Sequence, residues 1–139
     1  MAVPPIAPLG VHHIAVQCVD LPTMVRFYER VLRMRVERRW QTEQGVERSV
    51  WLRAGRTVLA LERCEGQAHE PPWQTETPGL HLLALEIAWQ NREVWRAWLA
   101  YHETPIVFES QWTLYVRDPE GNRVGLSHFP CNAAGERLA

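Results

Sequence analysis

The chain of 139 residues contains no lysine; all fifteen of its basic residues are arginine. Schiff-base and lysine-nucleophile chemistry are therefore excluded. The arginines are scattered and the formal net charge is −1, so nothing draws the chain electrostatically to nucleic acid or to an anionic membrane. Cysteine is scarce. Cys18, Cys64 and Cys131 are odd in number, widely spaced and free of any Cys-x-x-Cys pattern. That argues against a disulfide framework and a zinc knuckle and predicts a reducing, cytoplasmic setting. No apolar run approaches the ~20 residues that span a bilayer. Residues 1–10 have neither a basic segment nor a long apolar one, so they are not expected to act as a secretory signal. A nucleophile elbow, a Ser-His-Asp order and a phosphate-cradling glycine loop are missing too.

What is present is an ordinary globular balance, 46% hydrophobic and 22% charged, which excludes a disordered, collagen-like or coiled-coil chain. The length suits one domain or two small modules sharing a core. Seven tryptophans are many for this length and favour an aromatic-lined pocket. After a Pro- and Ala-rich lead-in (residues 1–10, expected to be flexible), residues 11–19 read as a strand. There Ile14, Val16 and Cys18 alternate with His13, Ala15 and Gln17. The Asp20-Leu-Pro-Thr stretch starts a helix, with Met24, Phe27, Tyr28, Val31 and Leu32 at helical spacing and an end near Met34. Three short β runs follow, at 35–40, 48–53 and 57–63. Residues 64–78 are polar and Pro-rich and read as a linker. The pattern then restarts: a strand at 80–87, a helix at 90–101 with Val94, Trp95, Trp98 and Leu99 on its apolar stripe, and β runs at 105–109, 112–117 and 123–129. Residues 130–139 read as a frayed tail.

The two halves, 11–63 and 79–129, are thus both βαβββ, and they match in sequence: Gly10-Val-His-His-Ile-Ala-Val against Gly79-Leu-His-Leu-Leu-Ala-Leu. Such a duplication is a specific signal. Neither half buries its sheet alone. The expected fold is α+β, two modules forming one curved eight-stranded mixed sheet around a central cleft, with the helices outside.

Three stretches carry a family likeness: His13-Ile-Ala-Val-Gln-Cys-Val-Asp-Leu followed by Phe27-Tyr28-Glu-Arg-Val-Leu32, Pro78 to Ile87, and Tyr115-Val-Arg-Asp-Pro-Glu-Gly-Asn-Arg-Val124. In their order and spacing the chain resembles the vicinal oxygen chelate superfamily, which includes glyoxalase I, extradiol dioxygenases, fosfomycin-resistance enzymes and bleomycin-resistance proteins. The resemblance implies a divalent metal in the cleft. Its ligands would be a His on the first strand of each module, a carboxylate on the last strand of the second and, in some members, another on the last strand of the first. Such ligands must converge on one point and leave positions open for substrate. His13 matches the first His. The duplication aligns Leu82 with His13, and His81 with His12. Strand parity agrees, placing His81 in the apolar row of Leu83, Leu85 and Ile87. The carboxylate positions hold Ala60 and, seven residues after Asp118, Gly125. The four corners become His13, Ala60, Leu82 and Gly125, and one imidazole does not hold a catalytic divalent ion.

Three readings stay open. The first is a metal-free protein that binds a small, largely apolar or aromatic molecule, with no cofactor. Its expected lining is His13, Gln17, Glu62, Leu82, Glu86, Thr113, Tyr115 and Ser127, together with Ala15, Val58, Ala60, Ala84 and Gly125. Trp40, Trp51 or Trp112 would supply a stacking face. The second is a metal-dependent lyase, isomerase or ring-cleaving dioxygenase holding one Mn, Fe, Ni or Zn ion on a displaced set, His13, His81 and Glu62. It requires a bulge near residue 80 to turn His81 inward. The third is a metal-free enzyme with His13 as general base, partnered by Glu62 or Tyr115. His69 and His102 are expected at the surface, and His128 in a structural or surface role. Chains of this family and length commonly pair, and open sheet edges favour pairing, so a homodimer is expected, with no nucleic-acid or membrane partner.

Overall fold

The computed structural model describes residues 1–138; Ala139, the last residue of the expected tail, lies outside them. Residues 1–12 are exposed and without regular structure. Strand β1 is His13–Cys18, two residues shorter than expected at its start. Asp20 caps the first helix, α1 (Leu21–Arg26), its carboxylate accepting from Thr23 N at 3.2 Å, with Pro22 in the first turn. The single helix read from the sequence changes pitch halfway. Phe27–Val31 form a π-helical turn, closed by Leu32 N donating to Phe27 O at 3.1 Å. The wider turn lets Phe27, Tyr28, Val31 and Leu32 all reach the core. Strands β2 (Arg35–Gln41), β3 (Glu47–Ala54) and β4 (Thr57–Arg63) complete the first module.

The second module holds β5 (Leu83–Glu86), a short 3-10 turn (Trp89–Asn91), α2 (Arg92–Tyr101), β6 (Phe108–Glu109), β7 (Thr113–Arg117) and β8 (Arg123–Ser127). On α2 the expected apolar stripe is only partly the packing face. Leu99 is buried and Trp95 packs on the core, but Val94 is 65% exposed and the buried face is completed by Arg92.

The strand orders are β1-β4-β3-β2 and β5-β8-β7-β6, with β1/β4 and β5/β8 parallel and the other pairs antiparallel. The expected single eight-stranded sheet is therefore two four-stranded sheets, with β1 and β5 as outer strands. Ile14 and Leu83 line cavities on both sides of this seam. Side chains, rather than a backbone ladder, fill it. One buried cluster draws on both modules, joining Leu21, Met24 and Tyr28 to Leu99, Leu114 and Leu126. Polar ties cross it as well: Tyr28 OH donates to Asp118 Oδ2 (2.8 Å), Val19 N and Asp20 N donate to the Glu120 carboxylate (2.9 and 2.8 Å), and Trp98 Nε1 donates to Val31 O (2.8 Å).

The segment expected to be a linker is fastened down. Arg117 Nη2 donates to Pro71 O (2.6 Å), and Arg123 Nη2 donates to Pro72 O (2.7 Å) and Trp73 O (3.0 Å). Arg117 also pairs with Glu70 at 3.1 Å. The tail is held too, rather than frayed: Leu138 N donates to Pro130 O (2.8 Å), and Cys131 bridges Arg137.

Candidate functional site

Ladder partners point to the same side of a sheet. In the first sheet the register aligns Ala15 with Ala60 and Trp51, Gln17 with Glu62 and Ser49, and His13 with Val58 and Arg53. These residues share the face away from the core, because Ile14, Val16 and Cys18 pack inward. In the second sheet Ala84 aligns with Gly125, Tyr115 and Phe108, and Glu86 with Ser127 and Thr113. The duplication makes two rows equivalent: Ala15–Ala60–Trp51 and Ala84–Gly125–Tyr115. Each sets an aromatic ring beside two small residues.

Ala60 and Gly125, the middle residues of these rows, are buried beside the rings, whereas Ala15 and Ala84 are exposed. Trp51 stacks on His13 (centroids 5.4 Å, planes at 20°), with Trp40 at its edge. Ala60 is fully buried and Val58 nearly so, yet neither belongs to the core cluster. Side chains on the helix-free face bury them. At Gly125, an added Cβ would stand 3.0 Å from Thr113 Cγ2 and 3.5 Å from Tyr115 Cε1. Tyr115 is in turn flanked by Trp73 (5.7 Å) and Phe108 (5.6 Å). Both positions where the family resemblance expects a carboxylate thus hold a residue without one, under a neighbouring ring.

His13 and His81 are exposed and line a cavity of about 450 Å³ at the seam, together with Leu82. Glu62 opens instead into a cavity of about 350 Å³ with Trp40, Ser49 and Trp51. Among the described residues no three His, Cys, Asp or Glu side chains are placed to hold an ion together. The β5–β8 ladder begins at Leu83, with Leu83 and Leu85 packing toward the core, so His81 and Leu82 precede the strand and His81, expected in the apolar row, is exposed beside the cavity. The displaced set His13, His81 and Glu62 is not assembled.

The other residues expected in one cleft are distributed. Glu86, Val58 and Ala84 line a third cavity of about 650 Å³ across the seam. Thr113 donates its hydroxyl to Ser127 Oγ at 2.9 Å. Gln17 is exposed at the end of its row. His13 has a neighbour that sequence reading passed over: its Nδ1 lies 2.9 Å from Nδ1 of His12. One ring of that pair donates and the other accepts.

His128, His102 and Tyr28 are engaged in packing and internal contacts. His128 is buried; Arg92 Nη1 donates to its Nε2 (2.9 Å), so its Nδ1 carries the proton and donates to Cys131 O (2.6 Å). His102, expected at the surface, is half-buried against Trp98 (4.3 Å), while His69 is exposed. Trp112 packs on Phe129. Tyr28 lines the seam cavity, but its hydroxyl is committed to Asp118, and burial, reinforced by that carboxylate, pushes its ionisation well above the ordinary phenol value.

Trp73, Arg117 and Arg123 were not anticipated. Arg117 and Arg123 are ladder partners, two like charges directly opposite each other, an arrangement that repels unless something is shared between them. That something is Trp73, whose ring lies 5.2 Å from one guanidinium and 5.5 Å from the other.

The match to known proteins accords with this geometry. A family model described as the Glyoxalase/Bleomycin resistance protein/Dioxygenase superfamily matches residues 10–126. A comparison with curated proteins gave no match. Among solved structures, the chain is similar to a glyoxalase/dioxygenase from Nostoc punctiforme (TM-score 0.72, 19% identity, covering 91% of this chain and 97% of that one). It is similar to lactoylglutathione lyase from Agrobacterium tumefaciens (0.66, 19%, 88% and 95%). A third similar structure is the fosfomycin resistance protein FosX from Mesorhizobium loti (0.69, 17%, 87% and 92%). At these identities the likeness is one of fold. With the βαβββ duplication and a family match over most of its length, the chain belongs to the Glyoxalase/Bleomycin resistance protein/Dioxygenase superfamily.

Proposed function

We propose that this member of the superfamily binds a small, largely apolar or aromatic molecule without a metal ion. The observation that carries the reading is that the two positions where the family resemblance expects carboxylates hold Ala60 and Gly125, each with an aromatic ladder partner, Trp51 and Tyr115. Removing the ligands leaves apolar and aromatic walls with a few polar groups, the make-up of a small-molecule pocket. The cavity sizes fall within the usual range for such ligands. The three cysteines are unpaired, which supports a reducing, cytoplasmic setting. Strands β2 and β6 end their sheets away from the seam, which supports a homodimer, readable by sedimentation velocity. Among the described residues no helix is long and apolar enough to cross a membrane.

The test is quenching of tryptophan fluorescence by nitrobenzene, a flat uncharged probe, with and without a chelator. A saturable component that survives the chelator and weakens in Trp51→Ala is expected. A saturable component seen only after reloading with Mn(II), or none at all, contradicts the reading. A second reading, metal-free turnover with His13 as base, draws support from the exposed His13 ring and its contact with His12. It requires chelator-resistant turnover that is lost in His13→Ala.

A further inference from the structure

Arg123 is 9% exposed and forms no ion pair among the described residues. The nearby carboxylates are taken. Glu70 pairs with Arg117. Asp118 accepts from Tyr28 OH, Glu120 N, Asn122 N and Asn122 Nδ2. Glu120 holds Val19 N and Asp20 N. Arg123 Nη2 is spent on Pro72 O and Trp73 O of the fastened segment 64–78 (the strap), and its Nε is buried with no partner among the described residues. Among the described residues three buried side-chain nitrogens lack a partner, in Trp40, His102 and Arg123, and only the last belongs to a fixed charge. A buried cation without a counter-charge, carrying an unmade hydrogen bond, is costly.

Arg123 lines the seam cavity of about 450 Å³. The rest of that lining contains no Asp or Glu; its polar members are His13, His81, Asn122 and Tyr28, whose hydroxyl is committed to Asp118, and its walls include Leu82 and Leu83. The cavity therefore has an apolar body, one unbalanced positive charge, and two imidazoles able to donate.

We propose that the seam cavity takes a monocarboxylate with a flat apolar body, an arylalkanoate in chemical class, its carboxylate received by Arg123. The inference rests on the reading of this protein as a small-molecule binder and narrows the ligand to an anion. An anion entering beside Arg123 would supply the missing charge, a charge-assisted contact of the stronger kind. The apolar body would lie against Leu82 and Leu83, where the two modules meet without a ladder.

The experiment titrates phenylacetate and its uncharged isostere phenylacetamide into isotopically labelled protein, followed by nuclear magnetic resonance. The readouts are the methyls of Leu82 and Leu83 and the Nε–H of Arg123, the latter assigned by its disappearance in Arg123→Lys. Changing the ligand rather than the protein leaves the hold of Arg123 on Pro72 and Trp73 intact. Phenylacetate is expected to move all three sets of signals and to bind at least about tenfold more tightly than the amide. Equal binding of both with an unmoved Arg123 signal overturns the anion and leaves a small-molecule cavity. No response at the seam to either compound, up to about ten millimolar, with nitrobenzene still saturable, overturns the anion alone. The same silence with no saturable quenching overturns both readings.

Discussion

Ala60 and Gly125 stand where the family resemblance expects carboxylates, and each has an aromatic ladder partner, Trp51 and Tyr115. Their identity was legible in the sequence, because the duplication and the Asp118 turn count directly to them. So was the outward aim of His13, through the alternation with Ile14, Val16 and Cys18. The stacking of Trp51 on His13 was not, because it depends on side-chain torsions that strand parity leaves free. On the core side, Cys18 is fully buried, and desolvation pushes its thiol up to about 12 from 9.0. The native thiol stays neutral where the unfolded chain would ionise. Its contribution to stability is complete below about pH 9 and is lost as the pH rises toward 12. Two outcomes are expected: the urea midpoint falls as the buffer is raised from pH 8 through that window, and iodoacetamide at pH 8 labels native Cys64 and Cys131 ahead of Cys18. Labelling of Cys18 in the folded protein would contradict its placement.

The turn at Asp118 to Gly121 shows what an element does beyond joining two strands. Asp118 accepts from the backbone inside the turn and from Tyr28 of the other module, and Gly121 adopts φ +89°. An added Cβ there would stand 2.9 Å from Glu70 Cα, in the strap. Both the backbone conformation and the close approach require glycine. Gly121→Ala is expected to cost more than about 1 kcal/mol, seen as a lower urea midpoint with an unchanged slope; an unchanged midpoint would contradict the seating of the strap. The turn itself was readable from Asp-Pro-Glu-Gly, and most strands from their period of two. The strap was not, because guanidinium-to-carbonyl contacts leave no periodic trace, and proline-rich polar composition reads as linker. The π-helical turn was equally hidden, since Phe27, Tyr28, Val31 and Leu32 suit an ordinary helix just as well.

Across the whole molecule, the duplication predicted two βαβββ modules and the structure contains them. What changed is the junction. β1 and β5 meet through Ile14 and Leu83 rather than through a ladder, so the eight strands form two sheets. The seam leaves a cavity whose single fixed charge is Arg123, while His13, His81 and Glu62 remain divided between separate cavities. A metal site needs its donors to converge, and among the described residues no three His, Cys, Asp or Glu side chains do. The most direct measurement is metal content by elemental mass spectrometry on untagged protein purified without chelator, before and after soaking in Mn, Fe, Ni and Zn salts. A metal-free binding protein gives well under one ion per chain in both samples. A near-stoichiometric ion that survives dialysis and is lost in His81→Ala would contradict it.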